Sequence, residues 1–415
     1  MTIDLPDFSW IQLSFVDVFG ASHSMLLPAD RFDVALAEGI PFDGSVLEGR
    51  ARLIETDMRL RPDATTLVPL GDGIARVVCT VLGEDGEPWP GDPRTSLERV
   101  LDSVGELGED YAAAAELEFY LLDYEGRPLD SGGYFGEAAG SGMETVRRAA
   151  DRLGSFGVPI DSVHHEAGPG QYEIDIAQLS ALRLADALVL AKQIVRQTAE
   201  EAGLHATFMP RPIPDEPGSG LHLQQRVGSH LVDADGRLTD EGSYFLAGQL
   251  AHARPLSALA CPTVNSYKRL HSGPEAPGAV VWAHVNRSAL LRLSNNIPGN
   301  ATLEYRAADP SANPYLLLAG LLVAGAHGLG TGLELPPAVE EAADGFDPAA
   351  SDSSRIEPLP RDLDEALRAL LLDDVLVDAF DGQLISRLVD ARRAEADDYR
   401  AQITPWEIER YLDEA

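Results

Sequence analysis

Residues 112–122 read AAAAELEFYLL, an apolar strand that carries two carboxylates. A strand has a period of two, so Glu116 and Glu118 share one face. The alanines, Phe119, Tyr120 and the leucines around them predict cover on both sides. Carboxylates buried in such a strand need cations beside them. A solvated strand face is the ordinary alternative; a metal or catalytic role is the other.

A second acidic segment follows. His164-His165-Glu166 precedes Gly168-Pro169-Gly170 and then Gln171-Tyr172-Glu173-Ile174-Asp175-Ile176, where Glu173 and Asp175 share a face. Hard cations such as Mg²⁺ take several carboxylate oxygens, so a second cluster favours a metal over a polar face. His164 and His165 read as hydrogen-bonded structural residues. Gly218-Ser219-Gly220-Leu221-His222 is a Gly-rich turn entering a strand, which alone implies only a satisfied histidine. Thr302-Leu303-Glu304-Tyr305-Arg306 sets an acid and a base on one face, ordinarily a structural salt bridge. Arg269, Arg287 and Arg292 could bind phosphate or carboxylate, although single arginines usually lie on the surface.

The rest of the chain frames these segments. Residues 10–16 and 74–82 read as strands, each followed by a turn (17–20 and 83–86). Pro88, Pro90 and Pro93 keep the next stretch irregular, which places a domain boundary at 90–93 and divides the chain into 1–93 and 94–415. A helix is predicted from about Ser96. Further helices are predicted at 181–202, ended by Gly203, and at 315–326, apolar all round and so buried. An exposed loop over 330–354 and two closing helices, 363–372 and 379–401, complete the pattern. Strands interleaved with segregated helices give an α+β catalytic domain.

Composition narrows the chemistry. The 415 residues carry 32 Lys+Arg against 67 Asp+Glu, a formal charge of −35. That balance argues against a nucleic-acid surface or an anionic membrane surface. The apolar run 316–326 is shorter than a membrane span, and the first residues, MTIDLPDF, lack a signal's basic and apolar regions. Cys79 and Cys261 fit neither a disulfide framework nor a zinc motif, so they read as packed thiols in a cytoplasmic protein. Only Lys192 and Lys268 are lysines. A polyanionic substrate would need metals and local arginines to overcome this acidic field.

Taken together, the segments resemble the glutamine synthetase family. The match runs through Phe42-Asp43-Gly44-Ser45, Glu116-Leu117-Glu118-Phe119, Gly133-Tyr134-Phe135, 164–175, Ala206-Thr207-Phe208-Met209-Pro210, 218–222, 265–270, Glu275-Ala276-Pro277, Asn286-Arg287-Ser288 and 304–315. The resemblance implies an N-terminal β-grasp domain and a catalytic domain whose curved antiparallel sheet holds two Mg²⁺ or Mn²⁺ ions. It also implies ATP as co-substrate and a homo-oligomer, a dodecamer of hexameric rings, with active sites between subunits. By motif position, Glu118, Glu166 and Glu173 resemble one metal's ligands, and Glu116, His222 and Glu304 the other's. Arg287 and Arg292 resemble the phosphate-binding arginines. Arg269, Arg306 and Gly218 resemble residues that hold the carboxylate substrate. Glu275 resembles the flap acid over the reacting centre. Asp43, from the neighbouring subunit, and Tyr134 resemble the ammonium site.

The chain also departs from the family pattern. Pro217 stands where many members have Asn, Leu221 replaces Met, Thr302 replaces a nucleotide-contacting arginine, and Ser45-Val46 replaces Ser-Ser. Proline removes a backbone donor beside the amino-acid pocket. An intact metal set with drifted substrate contacts implies an ATP-dependent carboxylate–amine ligase. It would form a γ-glutamyl amide through an acyl phosphate, with a primary amine as acceptor. Glutamine synthesis from ammonia and a catalytically idle regulatory relative are the rivals.

Overall fold

The structure is a computed structural model that describes residues 8–48, 57–137, 140–228, 231–233, 235–271, 276–294, 301–340 and 356–413. The N-terminal part is built from β1 (Trp10–Val16), β2 (Ser22–Pro28), α1 (Phe32–Glu38), β3 (Ile40–Asp43), β4 (Asp57–Pro62), β5 (Val68–Gly71) and β6 (Ile74–Leu82). Alternation decides which face is covered. Ile11, Leu13 and Phe15 of β1, with Ala75, Val77, Cys79 and Val81 of β6, pack under Phe32 and Ala35 of α1. The strand order is β2-β1-β6-β4-β3, with β5 also on β6. β1 and β6 run parallel and the remaining pairs antiparallel. This is the expected β-grasp arrangement.

The larger part begins with α2 (Pro93–Ser103), α3 (Glu106–Asp110), β7 (Tyr111–Leu122), α4 (Ser141–Ser155), β8 (Ile160–His165), β9 (Gln171–Ser180), α5 (Ala181–Glu201), β10 (His205–Thr207) and β11 (Leu221–Val227). It continues with α6 (Asp240–Ala251), α7 (Ala253–Ala260), α8 (Ser266–Leu270), β12 (Trp282–Ala283), β13 (Leu291–Ser294), β14 (Thr302–Tyr305) and α9 (Pro314–Thr331). It closes with α10 (Leu363–Leu371), α11 (Asp374–Ala379), α12 (Gly382–Arg400) and α13 (Pro405–Tyr411). The second sheet has the order β12-β13-β14-β11-β7-β9-β8, with β10 on β7. One face packs on helices around Leu117, Ile174, Leu188 and Leu317, all at most 1% exposed. The other face carries the acidic residues. The sheet is antiparallel except for the β12–β13 pair, which runs parallel.

Several boundaries differ from the sequence expectation, each for a local reason. The helix expected from Ser96 starts at Pro93, because Asp92 caps it and proline fits the first helical position. The buried helix expected at 315–326 extends over α9, capped by Asn313 and ended at left-handed Gly332. The loop expected from 330 therefore begins at 332, and its segment 341–355 lies outside the described residues. Four helices close the chain instead of two. Each starts on its own side-chain cap, at Asp362, Asp373, Asp381 and Thr404. α9 has the length and composition of a membrane span, yet 67% of it is buried inside the protein. Burying each of its leucines contributes about 1.5–3 kcal/mol, which fits a core helix.

The two sheets meet through polar anchors. Arg94, almost wholly buried, binds Asp63 of the N-terminal part and Glu98 and Asp186 of the larger part. Asp92 accepts from Val81 N and Arg94 N, and Asn313 donates to the carbonyls of Asp17 and Val18. Cys79 and Cys261 are free, buried thiols.

Candidate active site

Strand register builds the site in three rows across the second sheet. His164, Glu173 and Glu118 pair across β8, β9 and β7. Asp175, Glu116 and His222 pair across β9, β7 and β11. Gln224, Glu304 and Arg292 pair across β11, β14 and β13. Directly paired residues share a face with Cβ atoms about 4.5–5.5 Å apart, so the rows gather into one patch. All of the patch except the fully buried Glu304 lines a cavity of about 510 Å³, with Tyr134, Glu166, Arg287 and Arg306 also on its walls. The face opposite Leu117 and Phe119 is thus a cavity wall rather than a second layer of core.

Glu116, His222 and Glu304 each offer a ligand atom, all within 4.8 Å of one another. His222 Nδ1 is 2.9 Å from Glu116 Oε2, 3.8 Å from Glu118 Oε1 and 4.0 Å from Glu304 Oε1. Burial pushes the Glu116 carboxyl up, but the His222 and Gln224 hydrogen bonds and nearby charge hold it below the ordinary range. Glu304 is completely buried, and Arg292 Nε and Arg306 Nη1 donate to it at 2.5 Å each. The salt bridge read for this strand is therefore real, and it shares its acid with the candidate metal set. Removing Glu304 would strip Arg292 and Arg306 of the carboxylate they share, leaving Arg306 its bond to the Arg287 carbonyl. Repulsion among the acids alone gives the opposite expectation, a fold indifferent to the change.

The second expected trio, Glu118, Glu166 and Glu173, lines the same cavity. Glu118 Oε2 accepts from Gly220 N at 2.8 Å and from Gln171 Nε2 at 3.1 Å. Glu173 is pushed far above the ordinary carboxylate range by burial, then by Glu118, Asp175 and Glu116. His164 Nε2 lies 3.2 Å from Glu173 Oε1, and Ser162 Oγ donates to Asp175. The sequence pattern makes His164 a structural residue; the structure puts it in the cavity wall with Glu173 and Asp175. The signal lies in the alternation of β8, which faces His164 the same way as Ser162. His165 takes the structural role expected, buried on Asp130.

The donor set fits divalent cations. Asp175 Oδ1 is buried with no hydrogen-bond partner among the described residues. A Cβ at position 220 would meet Arg269 Nη2 and His222 Nε2 at 2.7 Å and Glu118 Oε1 at 3.0 Å, so only glycine lets these groups converge. Crowded carboxylate oxygens with one imidazole are the ligands that Mg²⁺ and Mn²⁺ accept.

The remaining candidates separate. Arg269 sits in an adjoining cavity of about 390 Å³ with Pro217, Gly218 and Glu166, and its guanidinium donates to the Ala307 and Arg306 carbonyls. Arg287 lies over the half-exposed Tyr134 ring, 5.5 Å from its centre. Asp43 ends β3 in the other sheet, accepts from Ser45 N at 3.0 Å and lines neither cavity. Glu275 lies outside the described residues.

A sheet with this carboxylate face has the donor set of a divalent-cation site, and comparison with known proteins narrows the class. The profile of the glutamine synthetase catalytic domain matches residues 90–411, and that of the glutamine synthetase beta-grasp domain matches 7–84. The chain is 38% identical to glutamine synthetase of Thermotoga maritima over 429 residues, 99% of this chain and 98% of the relative. It is 37% identical to that of Halobacterium salinarum over 431 residues, 99% and 95%. Among solved structures it is similar to GmaS without ligand, with TM-score 0.88 and 28% identity over all of both chains. It is also similar to a GmaS–ADP complex, with TM-score 0.87 over 98% and 97%. The chain belongs to the glutamine synthetase family. It is an ATP-dependent ligase of the glutamine synthetase type.

Proposed function

We propose that the enzyme joins the γ-carboxylate of glutamate to a primary amine, through an acyl phosphate formed at the expense of ATP. The observation that carries the acceptor is Pro217. It walls the cavity that holds Arg269, offers no backbone donor, and its carbonyl is taken by Tyr120 Oη at 2.6 Å. That wall is less polar than one carrying asparagine, and its cavity adjoins the Tyr134 cavity through Glu166, which lines both, so an alkyl tail on the acceptor would lie against it. The partly buried Val46 beside Asp43 acts in the same direction.

Glu118, Glu166 and Glu173 would hold one divalent ion, and Glu116, His222 and Glu304 the other. Bound Mg²⁺ or Mn²⁺ neutralises charge on the transferring phosphoryl group. Arg287 and Arg292 bind the phosphates, and Arg269 and Arg306 the amino-acid carboxylate, with Gly218 against it. Arg269 is pre-oriented by its two carbonyl bonds, which lowers the cost of ordering on binding. Tyr134 and Asp43 hold the incoming ammonium, and Asp43 takes its proton before attack on the acyl phosphate. Glu275 closes over the centre and excludes water. Asp43 lies away from the cavities of its own chain, which supports a ring oligomer in which a neighbour supplies it. We read the enzyme as cytoplasmic.

Phosphate release with glutamate tests the acceptor, comparing ammonium with alkylamines and polyamines at equal concentration. Faster release with a primary amine is expected. A clear preference for ammonium would make the enzyme a glutamine synthetase and Pro217 a structural variation.

A further inference from the structure

We infer that Asp130 is a positioning residue that fixes Tyr134, Glu166 and Glu173 relative to one another, a role that rests on the metal and amine assignments proposed above. Asp130 touches none of the candidate ligand atoms. It lies in the loop after β7, and its carboxylate takes four hydrogen bonds. Oδ1 accepts from His165 Nε2 at 2.8 Å, Gly170 N at 2.9 Å and Gly132 N at 3.1 Å. Oδ2 accepts from Tyr172 Oη at 2.6 Å. Three donors on Oδ1 use all of that oxygen's acceptor capacity, and Tyr172 fixes Oδ2.

The four donors come from three segments, and each segment carries a site residue. Gly132 is two residues before Tyr134. His165 immediately precedes Glu166. Gly170 and Tyr172 lead β9 into Glu173. The link to Glu166 continues past the ring, since His165 Nδ1 bonds the Glu166 carbonyl oxygen at 2.7 Å. The link to Tyr134 continues as well, since Phe135 N donates to the His165 carbonyl at 3.1 Å. Phe135 is held at φ +53, a left-handed conformation that costs a bulky residue energy and persists where neighbours enforce it. Gly132 makes the close approach possible, because a Cβ there would stand 2.6 Å from His165 Nε2. The network is too specific to be a generic loop anchor: every bond ends within a few residues of a candidate site residue, Tyr134, Glu166 or Glu173.

Outer hydrogen bonds of this kind typically change metal affinity by about 10–100-fold when removed. The test uses full-length Asp130→Ala and Asp130→Asn. Mn²⁺ binding is followed by the electron-paramagnetic-resonance signal of free Mn²⁺, without nucleotide or amine, and steady-state phosphate release is measured beside it. Asp130→Ala is expected to weaken Mn²⁺ binding by about 10-fold or more and to raise KM for the acceptor more than KM for ATP. Asp130→Asn keeps the shape and part of the acceptor capacity, so it should recover part of both losses. It also carries the test alone if the alanine variant does not fold. Variants with only a lower melting temperature or a lower kcat, and unchanged Mn²⁺ binding and acceptor KM, would show a merely structural aspartate and overturn the proposal. Glu166→Gln separates the two levels of the argument. If it binds Mn²⁺ like the wild type, the metal assignment fails and takes this proposal with it. If it loses Mn²⁺ while the Asp130 variants keep it, only the positioning role fails.

Discussion

Replacing Glu304 by alanine distinguishes a carboxylate that is merely one of a repelling cluster from one that holds two arginines in place. Its oxygens lie 2.5 Å from Arg292 Nε and Arg306 Nη1, and its side chain has no solvent exposure. At an effective dielectric of about 20, each contact is worth roughly 6–7 kcal/mol before desolvation. Repulsion from Glu116, whose ligand atom lies within 4.8 Å, amounts to roughly 3–4 kcal/mol on the same scale. The attractive terms win, and breaking a buried pair typically costs about 3–5 kcal/mol because the orphaned charge stays buried. Arg292 is 24% exposed, so water recovers part of its share and the lower end applies. About 3 kcal/mol lowers Tm by roughly 3–5 °C in a chain of this size. The assay is a thermal melt in excess EDTA at equal protomer concentration for wild type, Glu304→Gln and Glu304→Ala, with phosphate release measured on the same samples. Expected stability falls in that order, because glutamine keeps one acceptor, and ligation is lost in both variants. An alanine variant that melts at or above the wild type would refute the clamp, and turnover at saturating Mg²⁺ would refute the ligand role.

Other consequences are as direct. Glu173→Gln removes the cost of keeping a carboxyl buried and crowded by Glu118, Asp175 and Glu116, so the metal-free variant should be at least as stable as the wild type while the rise in Tm on adding Mn²⁺ shrinks. Asp92→Ala removes the cap of α2 and the acceptor of Val81 N at the joint between the sheets. A cost of about 2–3 kcal/mol in urea unfolding is expected, and less than about 0.5 would mean that water replaces the carboxylate. Burial pushes Asp130 up, but hydrogen bonds from Tyr172, His165 and two backbone N–H groups outweigh it and hold the carboxyl at about 2, below the reference 3.8. A depressed folded value gives stability that is complete above the unfolded value and lost as pH falls through the folded one. The stability gap between wild type and Asp130→Asn should therefore be constant from about pH 7 to 5 and close between about pH 4 and 2.

Elements whose signal is local are legible along the chain. The strand at 112–122, the helix at 181–202 and the apolar helix around 315–326 follow from periodicity, which depends only on near neighbours. The composition of the site is legible too, because a carboxylate set in an apolar strand must find a cation or a hydrogen-bond donor to be stable there. How those groups are partnered is a property of the folded chain. Glu304 meets Arg292 through the β13–β14 cross-strand pair, while Arg306, two residues along on the same face, is already legible in the strand; His164 reaches Glu173 through register, and Asp130 meets His165 across 35 residues. Register is set by long-range pairing and turn geometry, and a shift by one residue would turn each side chain to the opposite face. For that reason, which acids await a cation and which already have one cannot be read along the chain; it is fixed only when β7, β9, β11 and β14 are laid side by side.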